Sequence, residues 1–598
     1  MKPRLSLSVV AFFAAFAVPT WAQQAADAVA PETELADLPV GFEGVSNAAK
    51  EALTAKAAGT PTKAQTWMVA AANPLAVEAG ARVLREGGSA ADAMVAVQAV
   101  LGLVEPQSSG LGGGAFLVWY DAASGEVTTL DGRETAPLAA TPTLFQMDGE
   151  TMGFWDAVIG GRSVGTPGTP MLMEEAHARW GSAEWESLFN EAIALAENGF
   201  TVSERLAGLV QGGEERLRRF PATEAYFFPG GEALEAGDTL VNLPYAATLR
   251  RLADEGSSAI YSGQIAQDIV STVRGAEGNP GVLAMVDLET YDIVERPAVC
   301  AEYREHDVCG MGPPSSGALT VGQILGMLDN FEMPAADDPQ AWRLIGDASR
   351  LAFADRGRYM ADSDYVPVPV EGLVDPDYLA ERAALMNGDA ALPEVAPGEP
   401  AYDHALLWGD DQSLELPSTS HISIVDGAGN ALSMTTTIEN GFGSRLMTNG
   451  FLLNNELTDF SFATHADGWP IANRVEPGKR PRSSMSPTIV LKDGEPVLVI
   501  GSPGGSRIIG YVAKSIIGHI DWGLDVQATL MTPHLVNRFG TYDLEEGTDA
   551  TALEAGLQEL GYETNVRGLT SGLHAIQITP DGLFGGADPR REGIAMGE

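Results

Sequence analysis

The longest apolar runs of the chain fall in two places, Leu5 to Val18 and Ala90 to Val104. The first follows a charged start (Lys2, Arg4) and ends before Pro19-Thr20-Trp21-Ala22, which is the pattern of a secretory signal peptide over 1–22. It is too short for a membrane span, which needs ~20 apolar residues. The second contains Asp92 and is apolar nearly all round, which predicts a helix buried between layers. Gly87-Gly88 separates it from another helical stretch, Pro74 to Glu86. Residues 23–64 are rich in Ala, Pro and Glu with little periodicity, and read as a linker or loosely ordered segment.

Beyond Val104 the pattern predicts a strand at Ala115 to Tyr120, a mostly helical stretch from 165 to 290, and helices at Leu319 to Leu328 and Trp342 to Tyr359. From 375 to about 409 the chain is polar and irregular. Two hairpins follow. In the first, Thr419 to Asp426 and Asn430 to Ile438 are joined by Gly427-Ala428-Gly429, with Gly429 supplying a positive φ. If Asp426 faces Asn430, then Thr419 faces Thr437, and opposed residues lie ~4.5–5.5 Å apart at Cβ, close enough for two hydroxyls to bond. The second hairpin pairs Thr488 to Leu491 with Pro496 to Ile500 across Asp493-Gly494, then runs through Gly501-Ser502-Pro503-Gly504-Gly505-Ser506 into a helix.

Thr419 is either an ordinary strand residue or an N-terminal nucleophile. A cut between Ser418 and Thr419 would free an α-amine, of pKa near ~8, to act as base for its own hydroxyl. The strand–glycine–helix junction at Gly504 and Gly505 exposes successive N–H groups of the kind that hold an oxyanion. Arg133 is a surface arginine or a bidentate clamp for a carboxylate. Glu456 and Asp459, three apart, form a solvated acidic turn or a pair suited to an ammonium group. The glycines at 110 and 112–114 run helix, glycines, strand and lack the P-loop lysine, so a nucleotide reading is rejected; such glycines let backbone pass close to another layer.

Composition is that of a globular protein with no short repeat. The net charge of −45, with no basic stripe, argues against nucleic acid and against anionic membranes as partners. Cys300 and Cys309 read as a local disulfide across a hairpin, with free thiols or a redox pair as alternatives. The eight histidines show no metal-binding spacing, so neither a metal nor a cofactor is implied.

Taken together, V-E-P-Q-S-S-G-L-G-G-G, L-D-G-R-E, T-S-H-I-S-I-V-D, L-L-N-N-E-L-T-D-F, R-S-S-M-S-P-T and G-S-P-G-G-S closely resemble the γ-glutamyltransferase (glutathione hydrolase) family of N-terminal nucleophile hydrolases, from about Trp67 to the C-terminus. The resemblance implies an α+β fold, an αββα four-layer sandwich. It implies a proenzyme cut before Thr419 into a large chain (65–418) and a small chain (419–598) that stay together as a heterodimer, with no cofactor and no membrane anchor. Thr419 would be the nucleophile and Thr437 the residue that holds its hydroxyl, with Gly504 and Gly505 as oxyanion hole. Arg133, Ser483 and Ser484 would bind the α-carboxylate of glutathione or another γ-glutamyl compound, and Glu456 and Asp459 its α-ammonium.

Two features depart from the family pattern. Glu439 stands where many members have asparagine, which places three carboxylates around one ammonium. The stretch from Asp459 to Ser483 is shorter than in members with a lid, which predicts a more open pocket. With the signal peptide, the expected location is the periplasm, or the medium if the source is not Gram-negative. A glutaryl-amide (cephalosporin-type) acylase with the same nucleophile is the rival within the fold, and an inactive exported amino-acid-binding protein the rival outside it.

Overall fold

The computed structural model describes residues 41–404, 407–411, 413, 415–416 and 418–598. The predicted signal peptide (1–22) and residues 23–40 lie outside the described residues. Two seven-stranded sheets form the centre. One runs Thr62–Ala64, Gly582–Ala587, His574–Thr579, Glu495–Gly501, Thr488–Lys492, His306–Gly310, Val299–Tyr303. The other runs Ile594–Gly597, Met68–Ala71, Ser420–Val425, Ala431–Thr437, Gly114–Asp121, Glu126–Gly132, Val294–Pro297. All neighbours in both sheets are antiparallel. Each sheet mixes strands from both sides of Thr419.

The alternation of side chains along the strands explains the layers. Ile422, Ile424, Leu432 and Met434 face outward, into a core shared with Val77, Val97 and Val100 of helices Pro74–Arg85 and Ala90–Val104. Val490, Leu498 and Ile500 of the first sheet face helices Gly317–Leu328, Pro339–Tyr359 and Ile508–Ile520. Between the sheets, Met68, Val118 and Val425 meet Ile489, Val499 and Ile576. The result is the αββα four-layer sandwich that the family resemblance implies. Helix Ala90–Val104 is buried throughout, and Asp92 is the reason a charge is tolerated there. With Ser89 it forms a capping box that satisfies the first turn, and its Oδ2 also accepts from Ser182 N and Ala183 N.

The first hairpin has the predicted register, Ser420 opposite Thr436 and Val425 opposite Ala431. Asp426 Oδ1 accepts from Ala428 N and Asn430 N, and Gly429 takes φ +89°, which fixes the turn. Gly112 and Gly113 are close-approach glycines: a Cβ would come within 2.1 Å of Leu452 O and 1.9 Å of Thr437 O respectively. Cys300 and Cys309 are directly opposed in the edge hairpin of the first sheet and are joined by a disulfide.

Two stretches differ from the sequence reading. Residues 41–64 are structured, not a loose linker. Ser46 caps helix Asn47–Ala57, Ala49, Ala52 and Leu53 pack into the core, and Thr62–Ala64 adds an edge strand. Small alanines at helical spacing gave too weak a periodicity to reveal this. The polar segment after 375 opens with helix Pro376–Ala384, capped by Asp375, whose Tyr378 and Leu379 are buried.

Candidate active site

Thr419 sits at the mouth of the hairpin, one residue ahead of strand Ser420–Val425, in an uncut and buried chain. Its hydroxyl donates to Thr437 Oγ1 at 3.1 Å, and Thr437 Oγ1 in turn accepts from Glu439 N at 2.8 Å. The peptide on either side is also held. Ser418 Oγ donates to Gln107 O at 2.9 Å, and Thr419 O accepts from Arg591 Nη1 at 3.0 Å. Thr419 has φ +111°, a conformation that a β-branched residue avoids. Strain of this kind persists where the surroundings impose it, here at the bond expected to break.

Thr419 shares one small cavity with Arg133, Thr437, Glu439, Glu456, Asp459, Ser483, Ser484 and Gly505. Gly504 is not on its wall; its φ of +139° turns the backbone against Tyr511, where a Cβ would come within 2.7 Å of the ring. The cavity measures about 20 Å³, room for roughly one water. The predicted openness is therefore absent from the uncut chain. The reason is the segment before Thr419. Glu415 and Leu416 line the cavity, and a Cβ on Gly505 would come within 2.8 Å of Leu416 O.

The acidic half of the site collects around one guanidinium. Arg133 Nη1 donates to Glu456 and Nη2 to Asp459, while Nε and Nη2 reach Pro481 O and Arg482 O at 3.2 and 3.0 Å. Arg133 thus does not stand with Ser483 and Ser484 as an unoccupied carboxylate clamp. Glu456 and Asp459 lie in the single turn Glu456–Asp459, and both carboxylates point to Arg133 as the spacing of three predicts. Glu439 lies nearby, accepting from Asn455 Nδ2. Burial, then the Glu456 charge, pushes its carboxyl up to about 8. Burial also raises Asp459 and Glu134 well above the usual carboxylate range, against the pull of Arg133. Arg133, with Arg445 acting on Glu439, does not balance this set, so the site favours protons or a further positive charge.

The cationic half was not found by sequence reasoning. Arg356, on the buried face of helix Pro339–Tyr359, donates from Nη2 to Ser484 Oγ at 2.7 Å and to Glu415 Oε1. Ser484 Oγ donates to Glu415 Oε2. Arg482 Nη2 lies 3.4 Å from Glu415 Oε1 and 3.0 Å from Asp411 Oδ2. Burial alone would raise the Glu415 carboxyl, but Arg356 and Arg482 bring it down to about 2. Glu415 is therefore an ionised carboxylate seated on two arginines and a serine hydroxyl.

A profile described as Gamma-glutamyltranspeptidase matches residues 76–598, most of the chain. The chain belongs to this family. The "Glutathione hydrolase proenzyme" of Bacillus subtilis (strain 168) is 37% identical over 546 residues, covering 89% of this chain and 91% of that protein. The "Acylase ACY 1 proenzyme" of Pseudomonas sp. (strain V22) is 31% identical over 538 residues, covering 88% and 92%. Among solved structures, the cephalosporin acylase from Bacillus halodurans superposes with a TM-score of 0.80 at 25% identity, over 90% of this chain and 97% of that one. As a family member the protein is an enzyme of the γ-glutamyltransferase and glutathione hydrolase class, and it has acylases among its relatives. Among the described residues no helix is long and apolar enough to cross a membrane.

Proposed function

We propose that the protein is an exported γ-glutamyltransferase and glutathione hydrolase that activates itself by cutting between Ser418 and Thr419. The Thr419 hydroxyl attacks the Ser418 carbonyl carbon. The C–N bond breaks as the ester forms, and the hydroxyl proton passes to the Thr419 nitrogen. Water then hydrolyses the ester, freeing a Ser418 carboxylate and the Thr419 α-amine. What carries this reading is the 3.1 Å bond between the Thr419 and Thr437 hydroxyls at a buried, strained peptide.

In the cut enzyme the Thr419 amine takes the hydroxyl proton as the oxygen attacks the γ-amide of a glutamyl compound such as glutathione. N–H groups of Gly504 and Gly505 receive the oxyanion, a contribution worth ~10²–10³ in turnover per donor. The leaving amine takes the proton, and water or an acceptor amine resolves the γ-glutamyl-Thr419 ester. Glu439, Glu456 and Asp459 receive the substrate ammonium, and Arg133, Ser483 and Ser484, on the same cavity wall, its carboxylate. The chains 65–418 and 419–598 remain one heterodimer.

A glutaryl-amide acylase is the second reading, favoured by the likeness to the two acylases. It has no use for three buried carboxylates beside the nucleophile. The test is the intact mass of the exported protein, with hydrolysis of γ-glutamyl and glutaryl p-nitroanilides. Two species divided at 418/419 and a preference for the γ-glutamyl anilide are expected. An active Thr419→Ala variant would refute the nucleophile, and a preference for the glutaryl anilide would favour the acylase.

A further inference from the structure

The 418–419 peptide is gripped on both sides, and the two grips hang on one buried set of charges behind the hairpin. On one side Ser418 Oγ donates to Gln107 O, in the turn 105–109. On the other, Arg591 Nη1 donates to Thr419 O. Arg205 ties the two gripping segments together. Its Nη1 donates to Glu105 Oε1 and Oε2 at 3.0 and 3.2 Å, and its backbone N donates to Glu592 Oε1 at 3.2 Å. Glu105 and Glu592 are buried, and the Arg205 side chain is 8% exposed. A second tie comes from Lys56, whose Nζ donates to Arg591 O and Gly593 O, each at 2.7 Å. Lys56 is buried and belongs to helix Asn47–Ala57, ahead of the residues 76–598 that the family profile matches. Burial lowers its ammonium to about 8, against the charges of Asp588 and Glu592.

The φ of Thr419 is the rotation about its N–Cα bond. A β-branched residue left to itself turns out of the region around +111°, so something must hold the chain on both sides of that bond. The grip on Ser418 and the grip on the Thr419 carbonyl do this. Each is a single hydrogen bond, so its hold depends on how firmly the segment that bears it is fixed. The turn 105–109 is anchored at Arg205, and the segment 591–593 at Arg205 and Lys56. Neither Lys56 nor Arg205 lines the cavity that holds Thr419.

We infer that Lys56 and Arg205 are positioning residues: they brace the segments 105–109 and 591–593, so that the two grips keep the 418–419 peptide in its strained form and thereby set the rate of self-cleavage. This rests on the self-cleavage reading above. The helix Asn47–Ala57 is then part of the apparatus that prepares the bond, and it reaches that bond through two carbonyl groups and one arginine.

The test has two readings. The first uses chains that lack the Thr419 hydroxyl, Thr419→Gly and Thr419→Ala, each with and without Lys56→Met. With the brace whole, the glycine form should melt above the alanine form. With Lys56→Met both should melt lower and the gap between them should shrink by about half or more, because alanine is no longer forced into the strained φ. A merely structural lysine would lower both alike and leave the gap. The second reading is the conversion of one mass into two in chains that keep Thr419. Lys56→Met and Arg205→Met should each slow it by about 10-fold, the loss of one charged hydrogen bond, and Arg205→Lys by less. KM of the cut variants for γ-glutamyl p-nitroanilide should stay within about threefold, since neither residue lines the cavity. Should Lys56→Met fail to fold, Arg205→Met gives both readings from the other end of the brace. A gap absent from the parent or unchanged by the variant, or cleavage at the wild-type rate in both variants, would overturn the inference. A wild-type chain that stays whole while the gap shrinks would instead overturn self-cleavage and leave the brace standing.

Discussion

The hydroxyls of Thr419 and Thr437, 18 residues apart in sequence, bond at 3.1 Å across the open end of one hairpin. The turn at Asp426–Asn430 sets that register, and Glu439 N fills the second position on Thr437 Oγ1 at 2.8 Å. Thr437 thus accepts the bond that aims the Thr419 oxygen. Thr437→Val, which keeps the shape and removes the acceptor, should slow self-cleavage by about 10- to 100-fold. Thr437→Ser should retain most of the rate. The conversion of one mass into two over time is the measurement, and equal rates for Val and Ser would remove Thr437 from the mechanism.

Thr419 takes a φ of +111°, on the side of the backbone map that a β-branched residue avoids. Two variants that lack the Thr419 hydroxyl, Thr419→Ala and Thr419→Gly, differ mainly in whether the residue tolerates that conformation. The glycine form should be the more stable by about 1 kcal/mol in denaturant unfolding, although glycine normally loses to alanine. The ordinary order, alanine above glycine, would mean that the bond is not strained.

Glu439 gives a pH dependence of definite sign. Its carboxyl titrates near about 8 in the fold and near ~4.3 in an unfolded chain. Between these values the folded protein binds the extra proton, so stability falls as pH rises through the window. Glu439→Gln has no such proton. Compared in the Thr419→Ala background, its Tm should fall less between pH 5 and pH 8 than that of the parent. Parallel curves would place the titration elsewhere.

Glu415 anchors the segment ahead of Thr419. Removing one member of a buried ion pair is expected to cost about 3–5 kcal/mol, because the partner charges are left behind. Glu415→Ala in the uncut Thr419→Ala background should therefore melt well below its parent. Sodium formate, a carboxylate small enough for the vacated place, should restore part of the loss where equal sodium chloride does not. Identical effects of the two salts would show ionic strength alone at work.

Both hairpins and the glycine junction were legible because they depend on local chemistry: Gly429, Asp493 and Gly494 take positive φ where turns require it. The pairing of Arg133 with Glu456 and Asp459 was half legible. Each side was recognisable as a binding group, but residues 323 apart do not announce that they face each other. Arg356, Arg482 and Glu415 were not legible at all. One glutamate in a chain with 81 acidic residues carries no signal, and its burial is created only when the helix Pro339–Tyr359 packs beside the 482–484 loop. The helix Asn47–Ala57 escaped for a related reason, as alanine faces become a pattern only against the surface they cover.

Both sheets combine strands from before and after position 419, and Ser420–Val425 lies between Met68–Ala71 and Ala431–Thr437. If the chain is cut as proposed, maturation is irreversible in a particular sense. The precursor refolds as one molecule, at a rate independent of concentration. The cut protein, once unfolded, becomes two chains that must meet before either sheet can close, so its recovery is second order and dilution suppresses it. The proposed scission at 418/419 would thus remove the protein's ability to refold alone.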